Sequence, residues 1–306
     1  YQRERWDAPD GDFIDVDFLP AGVPSGAAQK SAPRSAPKAR VQLVLFHGLE
    51  GSSQSHYARA FAHWAHASGW DYVVPHFRGC SGELNRAPRT YHSGDHAEID
   101  WILRRLSLAH AGPTVAVGVS LGGNALLRWA QEAGSEASQV VKAVVAISSP
   151  VDLAAAGHAL GRGFNRQTYT RMFLNSMKPK ALAKLQQFPG LVNEAALRAS
   201  RDLYEYDNAF TAPLHGFAST EDCWARCSAK PGLKAMRDVP ALVLNARNDP
   251  FVPAFSLPTR GEVGSAVTLW QPHEGGHVGF AAGRFPGHVA DLPQAVGHWL
   301  QQQLAA

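Results

Sequence analysis

Thr114-Val-Ala-Val-Gly-Val-Ser-Leu-Gly-Gly-Asn124 begins as an apolar run and ends as the start of a helix. Val115 to Val119 is the kind of run shown by a strand buried on both faces. Within it, Gly118-Val119-Ser120-Leu121-Gly122 forms a G-x-S-x-G pattern. Ala125, Leu126, Leu127, Trp129 and Ala130 then continue with helical spacing. Strand, sharp turn and helix, in that order, force a serine into a strained backbone conformation and lift its hydroxyl above the sheet. Gly118 and Gly122 lack the Cβ atoms that would clash in so tight a turn. The helix N-terminus behind Ser120 favours negative charge, and the Leu121 N–H becomes a candidate oxyanion donor. A stray G-x-S-x-G is common in a chain with 28 glycines, so the flanking strand and helix carry the reading.

On the N-terminal side, Asp12–Phe18 alternates apolar and charged residues, which predicts an antiparallel edge strand. Residues 20–40 are rich in Pro, Ala, Ser and Gly, and carry Lys30, Arg34, Lys38 and Arg40 without an acid. They read as a mobile surface loop. Val41–Phe46 is a buried-strand candidate running into His47-Gly-Leu-Glu-Gly51, where the Leu49 N–H is the expected second oxyanion donor. His47 reads as a residue that pins this loop by hydrogen bonds. Residues 54–68 and 94–109 carry helical apolar faces, and Tyr72–Pro75 is a short strand between them. Arg78, beside two glycines but without a P-loop lysine, reads as a loop organiser. His92 and His96, near Asp95, are expected in the first turn of the 94–109 helix, and no metal is expected there.

Beyond the helix that follows Ser120, Val140–Ile147 predicts another buried strand. Alternating strands and helices indicate an α/β fold with a mostly parallel central sheet flanked by helices. From about Asp152 to Arg237 only helical segments are found, so residues 151–237 are expected to form an inserted helical cap. Residues 1–150 and 238–306 would then make the core. The sheet resumes with Pro240–Ala246, then Asp249, and with Ala266–Trp270, then His277; residues 291–304 close the chain as a helix.

A serine hydroxyl is a poor nucleophile at neutral pH. It needs a base to take its proton, and the base needs an acid to fix its tautomer. Asp249 and His277 each stand just past the carboxyl end of a late strand, where an open α/β sheet builds its site. Asp152 remains an alternative acid and His273 an alternative base. The order Ser120, Asp249, His277 is that of an α/β-hydrolase triad.

Several segments taken together resemble the YheT/EMB8-like branch of the α/β-hydrolases. They are His47-Gly-Leu-Glu-Gly-Ser52, Phe77-Arg-Gly-Cys-Ser-Gly-Glu83, Tyr91-His-Ser-Gly94, Gly118–Asn124, Tyr206–Gly216, Asn248-Asp-Pro-Phe251 and Gly275-Gly-His-Val-Gly-Phe280. The resemblance covers about Arg5 to Leu300. It implies an α/β-hydrolase fold, a Ser120–Asp249–His277 triad and hydrolysis of carboxylic esters, with acyl or lipid-like substrates. The 20–40 loop is longer and more basic than is usual for the branch.

Composition bounds the rest. The 306 residues fit one large α/β domain, or a domain plus an inserted cap. A net charge of +3, scattered along the chain, does not point to nucleic acid. Cys80, Cys223 and Cys227 make no disulfide framework, so a reducing, cytoplasmic setting is expected. No apolar run is long enough to span a membrane and no signal peptide is visible. A chain opening at Tyr1 leaves a targeting segment upstream, and peripheral membrane contact, as open questions. The expected partner is a small ester or lipid-like substrate, and the chemistry requires no cofactor or metal. The rival readings are an acyltransferase that hands the same acyl group to an alcohol, and a silent binding protein on a hydrolase scaffold.

Overall fold

The computed structural model describes residues 1–21, 39–284 and 287–305. Most of the loop expected over residues 20–40 lies outside the described residues. Eight strands form a single sheet in the order β1-β2-β4-β3-β5-β6-β7-β8. Their ranges are β1 Gln2–Asp7, β2 Phe13–Leu19, β3 Gln42–Phe46, β4 Asp71–Pro75, β5 Thr114–Val119, β6 Val144–Ile147, β7 Ala241–Leu244 and β8 Val267–Trp270. The β1–β2 and β2–β4 pairs are antiparallel, and every later pair is parallel.

The strand period of two sorts each side chain to one face of the sheet. From β5, Val115 and Val117 join one apolar cluster while Ala116 joins the other. The first face is covered by α1 (His56–Ala67), through Tyr57 and Phe61, and by the C-terminal helix, through Val296, Trp299 and Leu300. The second is covered by α2 (His96–Ala109), through Ile99, Ile102 and Leu103, and by α3 (Leu121–Ala133), through Leu126 and Trp129.

Beyond shifts of a residue or two at element ends, three features differ from the sequence reading. The strand expected from Val140 begins at Val144, because Ala137–Val140 is a short helix, α4. An unbroken apolar run does not reveal where helix gives way to strand. His92 precedes α2 rather than lying in its first turn. The alternation over Asp12–Phe18 does form an antiparallel strand, but β1 lies outside it and takes the edge. Arg5 forms two hydrogen bonds to Asp15 (2.8 and 2.9 Å) and Arg3 two to Asp17 (2.7 and 2.9 Å). Both aspartates are therefore buried instead of facing water.

Between β6 and β7 the chain makes only helices and turns. α5 (Leu153–Leu160) leads to α6 (Gly163–Asn165), a π-helical turn at Arg166–Thr170 and the long α7 (Arg171–Gln187). Then come α8 (Glu194–Ala199), α9 (Leu203–Tyr206), a second π-helical turn, α10 (Ala212–Leu214) and α11 (Thr220–Cys227). Leu160, Leu174, Leu185, Leu197 and Phe210 give this segment an apolar cluster of its own, which Phe251 and Val252 join from the loop after β7. α12 (Asp291–Ala305) closes the chain. Among the described residues no helix is long and apolar enough to cross a membrane.

A buried charge cluster fixes the loop after β4. The Arg78 guanidinium bonds Glu98 through Nε (2.5 Å) and Asp12 through Nη1 (2.7 Å). Burial alone would raise the Asp12 carboxyl. Donors from Asn85, the Arg86 and Phe13 N–H groups and Arg78 more than offset it, and hold it at about 2. Arg78 thus organises the loop, as its sequence setting suggested. Arg78→Met takes the hydrogen-bonded partner from buried Glu98 and one of several donors from buried Asp12, and is expected to cost about 3–5 kcal/mol of unfolding free energy. A lower urea midpoint at unchanged m value would register the loss; an unshifted midpoint would contradict it.

Candidate active site

Ser120 leaves β5 at φ 52° and ψ −121°, a conformation that costs a non-glycine residue on the order of 1–3 kcal/mol. The neighbouring backbones leave no room for side chains. A Cβ on Gly118 would lie 2.4 Å from the Gly122 oxygen, and one on Gly122 would lie 2.5 Å from the Phe46 and His47 oxygens. The Ser120 N–H donates to the Ile147 oxygen of the neighbouring strand (2.8 Å), which holds the turn in place.

His277 stands between Ser120 and Asp249. Its Nε2 is 3.1 Å from Ser120 Oγ, and its Nδ1 is 2.9 Å from Asp249 Oδ2 and 3.2 Å from Oδ1. Asp249 is buried, and its Oδ1 also accepts from the Phe251 N–H (2.8 Å). A carboxylate only accepts, so Nδ1 carries the imidazole proton and Nε2 is free to accept from the Ser120 hydroxyl. The loop bearing His277 is tied to its neighbours by side chains. Asn248 Oδ1 accepts from the Gly276 N–H (2.9 Å), and Ser148 Oγ accepts from the Val278 N–H (3.1 Å). The Phe251 ring covers the imidazole at a centroid distance of 4.1 Å.

The two competitors are elsewhere. Asp152 caps α5 by accepting from the Ala155 N–H (3.0 Å). His273 is exposed, and among the described residues it makes no hydrogen bond to either Ser120 or Asp249. His92 packs against His215, with ring centroids 4.5 Å apart, and its Nδ1 is 3.5 Å from Cys227 Sγ.

The loop after β3 faces Ser120 from the other side. A Cβ on Gly48 would sit 3.2 Å from Ser120 Cβ. The Gly48 N–H donates to Tyr57 Oη (2.8 Å), and the Gly51 N–H closes the turn onto the Gly48 oxygen (2.9 Å). Leu49 and Leu121 line the same cavity as Ser120 and His277. Leu121 opens α3, where an N–H has no intrahelical acceptor. Among the described residues neither leucine N–H donates to a backbone or side-chain acceptor. The cavity walls are mainly apolar, with Leu153, Leu160, Phe173, Met177 and Phe251 among them; Glu50 and Lys180 add charge.

His47 sits beneath this loop, fully buried. Its Nδ1 donates to the Gly48 oxygen (2.8 Å) and its Nε2 accepts from the Phe77 N–H (3.1 Å). It therefore pins the loop as a neutral imidazole. Tyr57, Tyr91 and Phe251 also hold the site, and the sequence did not single out any of them for that role. The available signals were aromatic placement beside glycine loops and, for Tyr91 and Phe251, a position inside the segments that carry the family resemblance.

The profile described as the alpha/beta hydrolase fold matches residues 42–283. The chain belongs to the α/β-hydrolase family. Within that family it belongs with YheT of Escherichia coli (strain K12), a provisionally named esterase. The two are 38% identical over 307 residues, covering 99% of this chain and 85% of that protein. Phospholipase ABHD3 of Mus musculus is 26% identical over 86% of this chain. Monoacylglycerol lipase of Saccharomyces cerevisiae is 25% identical over 79% of it. The chain spans only 64% and 55% of the lengths of these two. Among solved structures, mouse alpha/beta hydrolase domain-containing protein 10 superposes with a TM-score of 0.59 at 12% identity, covering 99% of both chains. Est1E from Butyrivibrio proteoclasticus, with ferulic acid bound, gives 0.57 at 14%, covering both completely.

Burial in the loop holds His47 far below an ordinary histidine, at about 3 against 6.5. Between these values the unfolded chain binds a proton that the folded chain refuses. The contribution of His47 is thus complete above pH 6.5 and drains away as the pH falls toward 3. His47→Gln is expected to flatten the fall of unfolding free energy across that window, measured by urea titrations at several pH values. Equal slopes in variant and parent would contradict this.

Proposed function

We propose that the protein hydrolyses carboxylic esters through an acyl-enzyme on Ser120. The observation that carries this reading is the chain of contacts from Ser120 Oγ to His277 (3.1 Å) and from His277 to Asp249 (2.9 Å), opening on a mainly apolar cavity. Membership of the α/β-hydrolases and similarity to proteins named as esterases and lipases support ester hydrolysis.

In this mechanism His277 Nε2 takes the Ser120 proton as Oγ attacks the ester carbonyl carbon. The carbonyl oxygen becomes an oxyanion, which the Leu49 and Leu121 N–H groups bind. Asp249 keeps the proton on Nδ1 and stabilises the imidazolium. Collapse of the tetrahedral intermediate breaks the bond to the alcohol oxygen, which receives the proton from Nε2. Water, deprotonated by His277, then attacks the acyl carbon; the second tetrahedral intermediate breaks the bond from that carbon to Ser120 Oγ, which takes the proton back from Nε2 as the carboxylic acid leaves. The apolar walls suit an acyl chain. Residues 151–237 act as a cap over a core of residues 1–150 and 238–306, since Phe173 and Met177 of α7 face the same cavity as Ser120. A small ester or a lipid-like acyl ester is the substrate class, in keeping with relatives named phospholipase and monoacylglycerol lipase.

The test is hydrolysis of p-nitrophenyl esters over a series of acyl lengths. Ser120→Ala is expected to lose ~10⁴–10⁶ in kcat and Asp249→Asn ~10⁴. Full esterase activity in Ser120→Ala would end the proposal.

A further inference from the structure

Glu50 follows Leu49 in the loop that faces Ser120, and several groups converge on it. It is a non-glycine residue at positive φ (57°). Its N–H donates to Tyr91 Oη (2.9 Å), and the Tyr91 hydroxyl donates back to Glu50 Oε1 (2.9 Å). One tyrosine therefore grips both the backbone and the side chain of the strained residue. Tyr91 is itself stacked on Phe77, with centroids 5.2 Å apart and planes 11° from parallel. Phe77 is the residue whose N–H bonds His47. The remaining carboxylate oxygen, Oε2, pairs with Lys180 Nζ at 2.8 Å.

Lys180 belongs to α7, far along the chain in the helical insertion, and lines the same cavity as Glu50 and Ser120. The Glu50 side chain is only 11% exposed and that of Lys180 is 36% exposed, so the pair is partly shielded from water and salt. Such a pair costs something to desolvate and little is gained in stability from holding it. Its location suggests another use. Strained backbone persists only where its surroundings over-determine it, and here one of the restraints comes from a different layer of the molecule.

We propose that Glu50 is a positioning residue for the oxyanion loop, and that Lys180 links it to α7, so that the placement of the helical insertion sets the Leu49 N–H. The inference rests on the reading of Leu49 as an oxyanion donor in ester hydrolysis. With α7 seated, Lys180 and Tyr91 together hold Glu50 left-handed, and through it the Gly48–Leu49 peptide that carries the Leu49 N–H. With the pair broken, Glu50 keeps only Tyr91 and a long contact from Cys80 Sγ (3.9 Å), its end of the loop loosens, and the donor drifts from the developing charge. Neither residue touches the reacting atoms, so both act through Leu49.

The experiment compares Lys180→Met, Lys180→Arg and Glu50→Gln with the parent enzyme on a short p-nitrophenyl ester, where chain binding contributes little. Misplacing an oxyanion donor is expected to lower kcat by about 10- to 100-fold in Lys180→Met and Glu50→Gln while KM stays within about twofold. Lys180→Arg, which restores the ion pair, is expected to recover most of kcat. Thermal unfolding of each variant checks that the fold is kept. An unchanged kcat in Lys180→Met and Glu50→Gln would overturn the inference, as would a change in KM alone or a failure of Lys180→Arg to rescue. Ser120→Ala separates the two levels. If that variant remains active, the ester-hydrolase reading has failed. If it is inactive while the Lys180 and Glu50 variants keep kcat, only the link to α7 has failed.

Discussion

The absence of space under Ser120 is the constraint on which the site depends. Gly118 and Gly122 meet with backbone atoms so close that any Cβ would overlap them, and Gly123 has Ser149 Oγ where its Cβ would be. That close approach lets β5 pass into α3 within one residue, and Ser120 takes the strained conformation the turn demands. Its N–H is anchored on β6. The serine hydroxyl is thereby held at the carboxyl edge of the sheet, where the loops after β3, β7 and β8 also end. The strain is local, and the packed centre of the sheet restrains it.

A second requirement is that the surrounding loops hold still. Here they are held largely by buried polar groups. Arg3 and Arg5 reach from the edge strand to Asp17 and Asp15, and Asp17 also accepts from Ser53 (2.6 Å) and contacts His76 Nε2 (2.9 Å). Arg78 ties the loop after β4 to Asp12 and to Glu98 of α2. Neutral His47 links that loop to the one after β3. Asn124 of α3 donates to the Ser93 and Cys227 oxygens and accepts from the Ala229 N–H, which fastens α3 to the end of α11. Each partner lost would leave a buried group unpaired, so these contacts act as a set.

Much of this was legible because it is written locally. β3, β5, β7 and β8 are short apolar runs, and Ser120, Asp249 and His277 are chemistry-bearing residues just past the ends of three of them. The Gly-rich turn at Ser120 states its own geometry. What was not legible depends on partners distant in sequence. β1 has little apolar alternation in Gln2–Asp7; it is a strand because its arginines meet Asp15 and Asp17, and nothing local marks Asp15 and Asp17 as buried. The π-helical turns at Arg166–Thr170 and Asp207–Thr211 break the 3.6-residue period that locates helices. Glu50 and Lys180 lie far apart in the sequence, and only the fold brings them together.

The central claim is that Ser120 is an activated nucleophile, and its most direct measurement is covalent. The native protein would be treated with a fluorophosphonate probe, digested and mapped by mass spectrometry. The account predicts a phosphonyl adduct on Ser120 and no adduct in Ser120→Ala. A native protein that takes up no probe, or a Ser120→Ala variant labelled as fully as the parent, would contradict it.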